Sequence, residues 1–162
     1  MPREITGNSN GSGRRIGVVV SRFNPEITER LLAGAIEALR QSGVADHDIT
    51  LVRVPGAFEI PQTARALAAN HDAVVCLGAV VRGDTDHYDH VATRAALGIG
   101  AVADETGVPV IFGVLTCDTA ELALARAGGS KGDKGAEAAI TALEMVSILQ
   151  GITSGETGDA HA

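Results

Sequence analysis

The sequence predicts an α/β/α three-layer sandwich built on a four-stranded parallel sheet, and three observations carry that prediction. Four short apolar runs, at 16–21, 49–54, 73–81 and 109–116, are rich in Val and Ile and have the length of buried strands. Segments with apolar residues at helical spacing separate these runs. Each run then stops at a loop rich in polar residues or glycine, the place where this architecture gathers ligand-binding groups.

The elements follow in order. Ile16 to Ser21 is the first strand. Asn24-Pro25 has the form of an N-cap followed by proline in the first helical position. Ile27, Leu31, Ala35 and Leu39 then repeat at helical spacing up to Gly43, a stop signal. Ile49 to Val54 is the second strand, and Phe58 to Asn70 the second helix, with Pro61 tolerable only near its first turn. Ala73 to Val81 is the third strand. The third helix is expected from Thr85 to Glu105, with Tyr88, Val91, Ala92, Ala95, Ile99, Val102 and Ala103 as its apolar stripe. His87, His90 and Arg94 fall on another side. Gly98 and Gly100 each weaken that helix by about 1 kcal/mol relative to Ala, which implies close packing against another element. Pro109 to Thr116 is the fourth strand, Asp118 to Ala127 a helix, Gly128 to Asp133 a loop, and Lys134 to Gln150 the last helix. Right-handed crossovers make the whole flavodoxin-like. Residues 1–13 and 151–162, rich in small and polar residues, are expected as a flexible arm and tail around a domain at 14–150.

Composition narrows the function. A chain of 162 residues, 45% hydrophobic, fits one domain with a real core. A net charge of −7 argues against nucleic acid or an anionic membrane as partner, so any anion site must be local. No long apolar segment opens the chain, and neither a signal peptide nor a membrane span is expected; a cytoplasmic, reduced setting is the default. Cys76 reads as a small buried hydrophobe. Cys117 precedes a helix and is either structural or a thiol activated by the helix N-terminus.

The stretch from Gly78 to Val91 says most about chemistry. A strand running through Arg82-Gly83 into a helix start presents free N–H groups and a positive helix end to an anion. His87 stands in the first turn, and histidine is the residue type suited to proton transfer near neutral pH. Phe23 and Phe58 each follow a strand end, and either stack on a flat ring or plug the top of the core. Glu59 either accepts bonds from a ligand or offsets a helix dipole. Asp84, Asp86, His87, Asp89 and His90 form either a metal cluster or a capped, solvated turn; no further ligands complete a shell, and no metal is expected. Arg126, Lys131 and Lys134 either neutralise a phosphate or are solvated charges.

Taken together, the segments Ser-Arg-Phe-Asn (21–24), Pro-Gly-Ala-Phe-Glu-Ile-Pro (55–61), Gly-Ala-Val-Val-Arg-Gly-Asp-Thr-Asp-His-Tyr (78–88), Pro-Val-Ile-Phe-Gly-Val-Leu-Thr (109–116), Arg-Ala-Gly (126–128) and Lys-Gly-Ala-Glu-Ala-Ala (134–139) resemble the lumazine synthase family. The resemblance runs from about Ile16 to Leu149, in order and without large gaps. It implies the penultimate step of riboflavin biosynthesis: condensation of 5-amino-6-(D-ribitylamino)uracil with 3,4-dihydroxy-2-butanone 4-phosphate to 6,7-dimethyl-8-ribityllumazine, phosphate and water, with no cofactor. By the same resemblance, Phe23 stacks on the uracil with Asn24 close by. Ala57 and Phe58 contact ring and ribityl chain through their backbone, and Glu59 binds ribityl hydroxyls. Ala79, Val80 and Val81 bond the pyrimidine edge. Gly83, Asp84 and Thr85 hold the phosphate with Arg126, His87 moves protons, and Lys134 and Glu137 sit at the edge. Phe112 closes a neighbour's pocket, which implies a homo-pentamer or a 60-subunit shell, the latter favoured by the short 126–134 loop. Glu4-Ile5-Thr6 is the part of the arm that would add a strand to a neighbour's sheet. Two positions depart from the family pattern. Asp86, in place of proline or a small residue, puts a carboxylate beside the phosphate or points it to solvent, and Ala136 replaces a frequent aromatic. The alternatives are the related archaeal riboflavin synthase, a non-catalytic lumazine or flavin carrier, and a purely structural shell protein.

Overall fold

The structure is a computed structural model and describes residues 1–158. Its central sheet has four parallel strands in the order β2-β1-β3-β4: β1 (Ile16–Ser21), β2 (Ile49–Val54), β3 (Ala73–Val81) and β4 (Val110–Cys117). Ile16 pairs with Ile49 on one side and Ala73 on the other, and Val74 pairs with Val110. Alternate strand residues feed opposite faces. Val18, Val20 and Leu77 pack with Leu31, Leu39 and Leu143 from α1 (Pro25–Gln41) and α5 (Lys134–Gly158). Val19, Cys76 and Val114 pack with Ile60, Ala64 and Ile99 from α2 (Ile60–Ala68) and α3 (His87–Thr106). The flavodoxin-like sandwich is therefore as expected. The chain passes from β1 outward to β2 and returns across β1 to β3, so the topological switch lies between β1 and β3.

One of the expected buried strands is not buried. β2 is an edge strand, and Thr50, Leu51 and Arg53 are exposed. Only β1 and β3 are flanked by strands on both sides, and their runs are buried almost throughout.

Several boundaries shift for local reasons. Ala57–Glu59 form a separate 3-10 turn, so α2 begins at Ile60, with Pro61 in its first turn. α3 begins at His87 rather than Thr85, and Gly107 (φ 71°) ends it with a left-handed cap. Gly98 is tight as expected, since a Cβ there would lie 2.6 Å from Pro61 Cγ; Gly100 has open space instead. α4 spans only Ala120–Ala125, capped by Thr119, whose Oγ1 accepts from Leu122 N at 3.2 Å. The expected loop 128–133 contains a small antiparallel hairpin, β5 (Ala127–Gly129) with β6 (Gly132–Asp133). Gly128 and Gly132 supply its positive φ angles.

α5 runs past the expected end at Gln150 to Gly158, so 151–158 is helical; 159–162 lie outside the described residues. Its segment 134–155 is long and apolar enough to cross a membrane, and one face of it, with Ala138, Ala139, Ala142, Leu143 and Val146, is buried in the core. The N-terminal arm has no regular secondary structure and lies on this helix of its own chain. Asn8 N donates to Ser147 Oγ at 2.8 Å, Ser147 Oγ donates to Asn8 O at 3.2 Å, and Arg3 Nη2 donates to Gly151 O at 3.3 Å.

Asn24 behaves differently from a capping residue. It holds the N-cap position of α1, but in the left-handed region (φ 59°, ψ 59°) and without a side-chain cap. Its Nδ2 donates to Ala79 O at 3.0 Å, tying the ends of β1 and β3 together beside the switch point. Among the described residues it is the only non-glycine with positive φ, a conformation Asn tolerates best. Asn24→Ala is therefore expected to destabilise the fold by about 1–2 kcal/mol, and Asn24→Gly by less, in urea unfolding. Equal losses in the two variants would show that backbone strain is not the cause.

Candidate active site

A cavity of about 580 Å³ opens at the C-terminal ends of β1, β2 and β3, at the switch point. Three loops build its walls. From the loop after β1 come Phe23, 71% exposed, and Asn24. From the turn after β2 come Ala57, Phe58 and Glu59, along with Pro55 and Gly56. The end of β3 supplies Ala79, Val80 and Val81, and the turn into α3 supplies Gly83, Thr85 and His87. Below, Gly78 allows close packing: a Cβ would lie 2.9 Å from Ser21 Oγ and 3.2 Å from Ile60 Cδ1, so both side chains would have to shift.

The exposure of Phe23 and of Phe58, which is 50% exposed, decides one ambiguity left by the sequence. Neither ring plugs the core; both line the cavity. Glu59 Oε2 accepts from Gly56 N at 3.0 Å, which ties down the turn that carries Phe58 while leaving the side chain exposed. Arg94, on α3, backs the same turn. Its Nε donates to Phe58 O at 3.4 Å and its guanidinium lies 5.3 Å from the Phe58 ring centroid.

The turn from β3 into α3 has the form of an anion cradle. Among the described residues, the N–H groups of Gly83, Asp84 and Thr85 meet no protein acceptor, and a Cβ on Gly83 would meet open space. Thr85 Oγ1 accepts from His87 N at 3.3 Å, shaping the entry to the helix. The positive end of the 20-residue α3 faces the same spot. Asp86 does not turn its carboxylate to His87: Oδ2 lies 3.5 Å from His90 Nε2, one helical turn on, with both side chains well exposed. No group of three or more His, Cys, Asp or Glu poised for a metal occurs among the described residues.

Five expected site residues lie outside this cavity: Asp84, Phe112, Arg126, Lys134 and Glu137, the last exposed on α5. Asp84 is exposed and contributes backbone rather than side chain to the cradle turn. Phe112 is 38% exposed on β4, the opposite edge strand from β2. Arg126 caps α4, with Nη1 donating to Leu122 O at 2.8 Å, and its carbonyl accepts from Lys134 N at 2.8 Å. Arg126 is close enough to Cys117, at the end of β4, to act on its thiol. Burial nevertheless pushes that thiol above its ordinary range, against the activated-thiolate reading; Cys76, fully buried, is pushed further.

Two lining residues, Tyr88 and Val91, belong to the apolar stripe of α3, and the sequence assigns neither a role in the site. Periodicity cannot separate a residue under the helix from one at the cavity wall. Tyr88, the sole tyrosine and next to His87, carries the only available signal.

Fold and site together define a flavodoxin-like α/β protein with a cavity at the switch point of its sheet. Within that class the match is specific: residues 13–150 fit the family model of 6,7-dimethyl-8-ribityllumazine synthase, and the chain belongs to that family. These are biosynthetic transferases of the riboflavin route.

Proposed function

We propose that the protein condenses 5-amino-6-(D-ribitylamino)uracil with 3,4-dihydroxy-2-butanone 4-phosphate to give 6,7-dimethyl-8-ribityllumazine, phosphate and water. The observation that carries this reading is one cavity with two unlike ends: exposed aromatic rings beside strand-end backbone groups, and an anion cradle next to His87. The flat pyrimidine stacks on Phe23 and bonds the backbone of Ala79 to Val81, while the ribityl hydroxyls reach Glu59 and the turn at Ala57-Phe58. The ketose phosphate sits on Gly83, Asp84 and Thr85.

The chemistry is a series of proton transfers. The 5-amino group attacks the ketone and water leaves as the imine forms. Loss of a proton next to the imine carbon lets the phosphate depart with its C–O electron pair. The ribitylamino nitrogen then closes the ring with loss of a second water. His87 accepts and returns the protons, and the cradle stabilises the charge on the departing phosphate.

Phe112 completes the pocket of an adjacent copy in a homo-pentamer, which accounts for an aromatic ring left exposed on an edge strand outside its own cavity. Arg126 and Lys134 reinforce the phosphate end, and Glu137 stands at its rim.

Mixing both substrates with the protein should produce lumazine absorbance and stoichiometric phosphate. Pyrimidine binding without phosphate release would indicate a carrier instead. Arg126→Ala is expected to raise KM for the phosphorylated ketose about tenfold, the loss of one charge-assisted hydrogen bond of about 1.5 kcal/mol. A change confined to pyrimidine affinity would remove Arg126 from the phosphate end.

A further inference from the structure

We propose that Arg82 is a positioning residue: it ties the cradle turn and the first turn of α3 to the end of β4, and so holds His87 in place relative to the bound phosphate. Arg82 does not line the cavity. It is instead the residue through which three elements meet. Its N donates to Cys117 O at 3.0 Å, extending the β3–β4 ladder by one bond. Its Nε donates to Asp118 Oδ1 at 2.9 Å, just past β4. Its Nη1 lies 3.7 Å from Asp89 Oδ1, and its guanidinium stands 4.3 Å from the centroid of the Tyr88 ring; both partners belong to the first turn of α3. The segment between these anchors is Gly83 to His87, whose backbone has few ties of its own.

A direct role on the phosphate fits the geometry less well. Two carboxylates already face the guanidinium, so its charge is locally matched, and the planar fork is spent on Asp118 and the Tyr88 ring. All these side chains are about half exposed or more, apart from half-buried Tyr88, so the contacts add little to global stability. Their effect is local order, in a site where an error of about 1 Å in a reacting group can lower rates by about a hundredfold.

The consequence for turnover rests on the condensation reading above; the ordering of the turn does not. Arg82→Lys and Asp118→Asn, each in the full assembled protein, would be compared with the wild type by steady-state kinetics, thermal melting and amide hydrogen exchange. Both should lower kcat on the order of tenfold, leave KM for the ketose phosphate within about twofold, and speed exchange on the order of tenfold at the amides that are bonded there, those of Arg82, His87 and Asp89. The melting midpoint should not move. Unchanged exchange at Arg82, His87 and Asp89 in both variants would overturn the proposal whatever the activity. So would intact kcat in both with a raised ketose KM in Arg82→Lys and a lowered one in Asp118→Asn, the signature of direct phosphate contact. If the wild type made no lumazine yet exchange rose as expected, the reaction assigned would be wrong and the tie would stand.

Discussion

Replacing His87 with alanine is expected to lower kcat by about a hundredfold and to leave the affinity for a ribityl-pyrimidine nearly unchanged. The magnitude is the low end of what a positioned acid–base group contributes, roughly 10² to 10⁴. The low end is appropriate because the imidazole is exposed, and water can carry part of the proton traffic. The split between kcat and binding follows from where the groups sit. The stacking and ribityl contacts come from the loops after β1 and β2, whereas His87 belongs to the first turn of α3. His87→Ala also leaves the cradle intact, because His87 lends the turn its N–H, which alanine retains. Steady-state kinetics with both substrates varied, together with pyrimidine titration, checks the split. Unaltered turnover would remove His87 from the mechanism.

The second large effect concerns stability, in two substitutions of the same kind with opposite outcomes. Gly135, in the first turn of α5, lies directly against α1: a Cβ there would overlap the carbonyl of Leu31 and sit 2.9 Å from Leu31 Cα. Both obstacles are backbone, so neither can turn aside. The start of α5 is further fixed by Asp133, whose Oδ1 accepts from Ala136 N at 3.1 Å and whose carboxylate lies against Gly34 of α1. Gly135→Ala gains up to about 1 kcal/mol of helix propensity but incurs overpacking of about 3 kcal/mol, a net loss of about 2 kcal/mol. Gly100, in α3, has nothing within 4 Å of where a Cβ would stand, so Gly100→Ala keeps the propensity gain and should stabilise by about 1 kcal/mol. Chemical unfolding of both variants is the check. A neutral Gly135→Ala would mean that α1 and α5 part more easily than their packing suggests.

These two glycines show where sequence reading stops. Both stand at helical positions with nothing local to distinguish them, and helix propensity alone predicts close packing at Gly100 as much as at Gly98. Only Gly98 is close-packed, because Pro61 of α2 crosses there. Asn24 is a similar case. Asn followed by Pro signals a helix start correctly, yet the side chain bonds Ala79 O rather than the helix, since β3 lies beside it in space. β2 alone among the four strands of the central sheet carries a charge, Arg53, which hints at exposure, but the exposure of Leu51 follows from sheet order, which no single strand encodes.

The site divides in the same way. Phe23, Phe58, Glu59, His87 and the Gly83–Thr85 turn are legible because each follows a strand end, and in a parallel sheet all those ends share one edge. The alternation of apolar runs with helical periods was thus enough to determine the sandwich, its strand-end loops and the residues those loops carry. Which of them meet was decided by the folded chain alone. Tyr88 at the cavity wall, Arg94 behind Phe58, Asp86 turned to His90, and Arg82 spanning three elements all arise from contacts between segments distant in sequence or facing one another around a helix. The physical reason is that periodicity records how much of a residue is buried, whereas a site depends on which neighbour it is buried against.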